Sequence, residues 1–101
     1  MRESVLSISR SKRAGKKYVA VVAGPNGNRR VVHFGAKGYA QFKDSTPLHA
    51  YARRDHGDYT RRERYFMRHS GVRNKREAIR KELAASNGRL TPKVLSHRFL
   101  W

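Results

Sequence analysis

The sequence predicts an α+β fold: a small three-stranded antiparallel meander followed by two or three short helices, with a basic N-terminal arm and an apolar C-terminal arm. Three observations predict it. Lys16–Ala23 and Arg29–Phe34 are rich in β-branched and aromatic residues, and Gly24-Pro25-Asn26-Gly27-Asn28 between them concentrates residues that accept positive φ. Thr60-Arg61-Arg62-Glu63 and Asn74-Lys75-Arg76-Glu77 each place an acidic residue three positions after a capping residue, the spacing of a helix start. Finally, 101 residues without a linker or repeat make one domain, 1–101, that buries roughly 60–65% of the surface of its unfolded chain.

The elements follow in chain order. Val5, Leu6 and Ile8 form a short apolar run that predicts a first strand, before the polar, basic stretch Ser9–Gly15. In the second strand Tyr18, Ala20 and Val22 face one side and Val19, Val21 and Ala23 the other. Both sides are apolar, so this strand is central. Val31 and His33 alternate with Val32 and Phe34 in the third. Phe34-Gly35-Ala36-Lys37-Gly38-Tyr39 then leaves the sheet through two glycines, and two readings stand: a tight exit turn, or a nest of backbone N–H groups beside Lys37 that holds an anion.

Residues 40–59 predict a long loop packed down by its aromatic residues, with one helical turn from Thr46-Pro47 to near Tyr51. A helix begins near residue 60, its Tyr65, Phe66 and His69 toward the core and Arg61, Arg62, Arg64 and Arg68 outward, until Ser70-Gly71 stops it. A second runs from Asn74 to Asn87-Gly88 with Ile79 and Leu83 on its apolar line. Thr91-Pro92 starts a last short element that ends Phe99-Leu100-Trp101. Leaving that end wet forfeits about 25 cal/mol per Å². It is therefore docked on the domain's own core or inserted into a neighbour.

Lys and Arg number 24 against 7 acidic residues, a net charge of +17, and mean hydropathy is −0.86. Solubility alone asks for far less charge on a domain this small. The excess predicts a partner of opposite sign: a phosphate backbone, an anionic lipid surface or an acidic protein. The basic groups that would present it are Lys12, Arg13, Lys16, Lys17, Arg29, Arg30, Lys37, Arg61, Arg62, Arg64 and Arg68. There is no cysteine, which excludes disulfides and thiolate chemistry, and no apolar run of 18 residues or secretory core at the start.

Catalysis needs a positioned acid or base, a nucleophile or a metal. Asp55 and Asp58 lie beside Arg53, Arg54 and Arg61, which reads as capping and pairing. The histidines His33, His49, His56, His69 and His97 lack metal-ligand spacing, and there is no GxSxG elbow. The sequence thus predicts no catalytic residue, no metal, no cofactor and no small-molecule substrate. No RNP, KH, zinc-finger or helix-turn-helix pattern occurs either, so any nucleic acid would be bound without sequence readout.

The order FGAKGY at 34–39, Glu63-Arg64-Tyr65 to Arg68-His69, and Ser96-His97-Arg98-Phe99-Leu100-Trp101 resembles a family of small uncharacterised basic proteins of nucleocytoplasmic large DNA viruses. In that family a hairpin leads into FGAKGY, an ERYxxRH helix and a closing SxxLLW. The resemblance covers residues 16–101, with a longer loop at 40–59 and an extended helix at 74–86. It implies a non-enzymatic virion protein, made in the host cell interior. With the charge and the apolar end, the expectation is a minor structural protein of capsid or inner shell. It would bind capsid or core proteins through its basic side chains, with Phe99, Leu100 and Trp101 as docking anchor. The alternative is a sequence-independent nucleic-acid-binding protein of the same virus type, with an anionic membrane surface as a third kind of partner.

Overall fold

A computed structural model of the protein describes residues 2–101. Ser4–Arg10 (β1), Lys16–Ala23 (β2) and Arg29–Ala36 (β3) form one antiparallel sheet in the order β1-β2-β3, followed by helices Tyr59–Ser70 (α1), Lys75–Ala85 (α2) and Pro92–Phe99 (α3). This is the α+β meander the sequence predicts. β2 is central, and its alternation sorts the sheet into two faces. Tyr18, Ala20 and Val22 are fully buried, and opposite them stand Phe34 and Val32 of β3 and Ile8 and Val5 of β1. The other face, with Val19, Val21 and the exposed Val31, stays open.

α3 closes the core face. Val94, Leu95 and Leu100, with Leu90 before the helix, pack on Tyr18, Val32 and Phe34. Each such fully buried large side chain stabilises the fold by about 1.5–3 kcal/mol. A second, smaller cluster joins Tyr65 and Phe66 of α1 to Ala78 of α2. Trp101 touches both clusters, so the C-terminus is the joint between sheet and helices. Of the two placements open from sequence, the one observed is on the chain's own core.

The helix starts follow local chemistry with one correction. Asn74 and Thr91 cap α2 and α3 as predicted, with Pro92 in the first turn. α1, however, is capped by Asp58, whose Oδ1 accepts from the N–H groups of Thr60 and Arg61, and no Thr60–Glu63 box forms. A carboxylate meets the positive end of the helix better than a hydroxyl does. Gly71 ends α1 in the left-handed region, as its position predicts. His69 does not turn to the core. It is exposed, and Ser70 is buried in its place.

The loop at 40–59 is long and packed down by its aromatics, as predicted. Tyr51 stands edge-on to Tyr18, and Phe42 packs against Tyr59. Its single 3₁₀ turn lies at Ala52–Arg54 rather than at Thr46–Tyr51. The reason is Asp44, whose buried carboxylate accepts from Thr46 N and Oγ1, from Tyr51 N and from the Tyr18 hydroxyl. Thr46 is held in that turn and cannot cap a helix there.

Candidate nucleic-acid interface

The exit from the sheet begins at Gly35, with φ +80°. A Cβ there would lie 2.9 Å from Leu100 Cδ1 and 3.2 Å from Lys17 Cβ. Glycine is thus required both by the left-handed backbone and by the close approach of β2 and the C-terminus. In the turn that follows, Lys37 N donates to Gly15 O (2.9 Å) and Tyr39 N to Ala36 O (3.4 Å). Those N–H groups are engaged within the chain, so the exit-turn reading holds here and the anion nest does not.

Lys17 braces the turn from beneath. It is 1% exposed, and its Nζ donates to Tyr39 O (2.8 Å) and to the Gln41 side-chain oxygen. Burial lowers its pKa, opposed by the nearby Asp44 carboxylate. Gln41 in turn donates to Tyr51 O and Asp55 Oδ1, both at 2.7 Å. The residues 39–41 are thereby tied to β2 on one side and to the loop on the other.

Between this exit, α1 and α3 lies a cleft of about 600 Å³. Lys16, Tyr39, Arg61, Tyr65, Arg68 and Trp101 are among its walls. Arg61, Tyr65 and Arg68 come from one helix face because they are spaced four and three apart. Tyr65 and Trp101 stack with centroids 4.0 Å apart and planes 3° from parallel. The exposed Tyr39 and the half-buried Trp101 therefore line the cleft together with cations.

Tyr65 is tied into a buried polar chain. Tyr65 Oη lies 2.9 Å from His97 Nδ1, His97 Nε2 lies 2.7 Å from Ser70 Oγ, and Ser70 Oγ donates to Glu82 Oε2 at 2.8 Å. Since the one hydroxyl proton of Ser70 goes to Glu82, His97 Nε2 must donate to Ser70, leaving Nδ1 to accept from Tyr65. Only a neutral imidazole can do this. Burial pushes the His97 pKa down to about 4 and raises that of the Tyr65 phenol.

Six of the seven side-chain carboxylates are bonded or paired within the fold. Glu3 holds Arg30 and Leu90 N; Asp44 and Asp55 hold the loop; Asp58 caps α1 and Glu77 lies in the first turn of α2. Glu63 faces Arg73 at 3.6 Å, and Glu82 serves Ser70 with Lys93 at 3.7 Å. Among the described residues, then, Lys16, Arg61 and Arg68 line the cleft with no carboxylate paired to them.

The predicted basic residues sort accordingly. Lys16, Arg61 and Arg68 meet at the cleft. Lys12, Arg13 and Lys37 are exposed at the same end of the sheet, where the β1–β2 loop touches the exit turn. Lys17 is at the cleft but is buried and bonded, so it presents no charge to a partner. Arg29 and Arg30 lie at the opposite end, and Arg30 is clasped by Glu3. Arg62 lies over the Phe42 ring at 4.6 Å, and Arg64 is exposed outside the cleft lining. The docking role expected of Phe99, Leu100 and Trp101 is turned inward: Leu100 is 2% exposed against β3, and the Phe99 ring lies 6.1 Å from that of Phe34. The spacing of Arg61, Tyr65 and Arg68 was the available signal for the cleft; nothing local pointed to Trp101 as part of its lining. Among the described residues no three metal-ligating side chains converge.

Residues 6–48 match a family of unknown function (DUF5754). The match spans the sheet and its exit and stops before α1. No curated protein and no solved structure matches the chain.

Proposed function

We propose that the protein binds nucleic acid without reading base sequence, laying the phosphate backbone along the cleft and the basic end of the sheet beside it. The observation that carries this reading is the meeting of Lys16, Arg61 and Arg68, free of carboxylates, around a cleft with aromatic walls. Such cations displace condensed counterions from phosphates, which makes binding favourable and steeply salt-dependent. Lys12, Arg13 and Lys37 extend the positive surface at that end. The reading as a cement between capsid subunits draws on the same charge but loses its apolar anchor, since drawing out Leu100 would open the core. In a particle of the kind the resemblance implies, the protein would lie against the genome.

The test is affinity for DNA over a salt series. Log affinity should fall linearly with log salt, and Arg61→Gln and Arg68→Gln should each reduce the slope by about one. Absence of binding near physiological salt, or a slope unmoved by both changes, sinks the reading.

A further inference from the structure

Tyr39 is 71% exposed and has no aromatic neighbour among the described residues. A large ring on a loop would ordinarily be free to fold down and shed that exposure. Here the backbone of Tyr39 is fixed, its carbonyl by Lys17 Nζ and its N–H by Ala36 O. Its ring lines the cleft together with Trp101, which rests one face on Tyr65. Lys16, Arg61 and Arg68 line the same cleft.

We infer that the cleft takes an unpaired base, so that the ligand is a single-stranded nucleic acid and not a duplex; this rests on the nucleic-acid reading above. A base inside a duplex has both faces covered by its neighbours and offers none to Tyr39. An unpaired base offers a π-face, and stacking on aromatic side chains is the common way single strands are held. The cleft, at about 600 Å³, admits a planar group of that size. Its lining includes no Asn, Gln, Asp or Glu, the side chains that read A and C by paired hydrogen bonds. Stacking therefore holds the base, while Lys16, Arg61 and Arg68 hold the phosphates.

Trp101 is the only tryptophan, so its fluorescence reports on the cleft directly. The whole protein is titrated, at one salt concentration, with an oligothymidylate of about 15 nucleotides and with a duplex of the same length. The single strand should quench Trp101 and bind about tenfold more tightly than the duplex. Tyr39→Ala should weaken the single strand about tenfold and leave the duplex nearly unchanged. Tyr39→Leu, which keeps apolar bulk without a π-face, should lose as much, and Tyr39→Phe should lose little. Equal affinities without quenching, or single-strand binding indifferent to Tyr39→Ala, overturn the inference. In that case salt-dependent duplex binding would leave the broader reading standing. Failure to bind either ligand overturns both.

Discussion

At the hairpin end of the sheet Arg30 is held on three sides: its Nε and Nη2 donate to the Glu3 carboxylate at 2.9 and 2.6 Å, and Nη2 also donates to Leu90 O at 2.8 Å. At the exit end Lys16, Arg61 and Arg68 face open space with no carboxylate bonded to them. Both ends carry basic residues that are indistinguishable as composition. What separates them is where the scarce acidic residues went. With 7 carboxylates beside 24 cations, the buried and half-buried acids mark places the fold needs, and the cations left without one are free for a ligand. Arg30 ties the N-terminal segment to the α2–α3 connection. The exit end is instead held from within by Lys17 and by the carboxylates of Asp44, Asp55 and Glu82, which leaves Lys16, Arg61 and Arg68 unpaired at its surface.

The largest expected effect breaks the exit end. Gly35→Ala adds a Cβ at positive φ, 2.9 Å from Leu100 Cδ1 and 3.2 Å from Lys17 Cβ. The left-handed backbone costs an alanine about 1–2 kcal/mol, and the crowding costs about 1–3 kcal/mol more. Thermal unfolding should move down by well over about 8 °C. Gly38→Ala, at φ +86° but with open space around it, should lose only the backbone part. If the two variants unfold at the same temperature, the close packing of Leu100 and Lys17 under Gly35 contributes nothing.

Acid should separate the two ends next. His97 has a folded pKa of about 4 against 6.5 when unfolded, so the unfolded chain takes up its proton first. Stability from this group is complete above about pH 6.5 and is lost as the pH falls toward 4, to a total of about 3 kcal/mol. Lys75, Lys93 and His69 face the ring and oppose its protonation, while Glu82 favours it. His69 and His56, both at this end, are also lowered, by partial desolvation of their rings and then by neighbouring cations, Arg68 and Lys93 for His69 and Arg61 for His56. At the hairpin end the bond from Arg30 lowers the Glu3 pKa below 4.5, so its contribution is lost only at lower pH. Denaturant titrations from pH 7.5 to 4 should show the early loss, and His97→Gln, whose amide can accept from Tyr65 and donate to Ser70, should flatten it. An equal slope in His97→Gln would assign the loss elsewhere.

The sheet was legible because its rules are local: alternation fixed both faces of β2, and Gly24–Asn28 fixed the hairpin. Asn74, Thr91 and Gly71 were legible for the same reason. The start of α1 near residue 60 was legible, but its cap was misassigned because Asp58 competes with Thr60 for the same N–H groups, and the stronger acceptor lies two residues earlier. Lys17 could not be recognised as a buried brace, since what covers it comes from Tyr39 and Gln41, more than twenty positions away. The cleft suffered likewise. Its helix face of Arg61, Tyr65 and Arg68 was readable, but Trp101 joins it only through the stack on Tyr65, a contact that the docking of α3 creates. Charge predicts an acidic partner without saying which arginines are already bonded.

The smallest expected effects on stability are the most telling about the two ends. Glu3→Gln removes a partly buried, two-bond ion pair and should cost about 1 kcal/mol. It frees Arg30 at a place remote from the cleft, so affinity for nucleic acid should not fall. Arg68→Gln removes an exposed, unpaired cation and should leave stability within about 0.5 kcal/mol, or raise it slightly by easing self-repulsion. Its effect should be confined to binding and to the salt slope. The two variants measured together, unfolding beside binding, form a cross: one moves stability alone, the other affinity alone. Should Glu3→Gln change binding as much as Arg68→Gln does, the ligand would be reading net charge over the whole surface, and the exit end would have no privileged role.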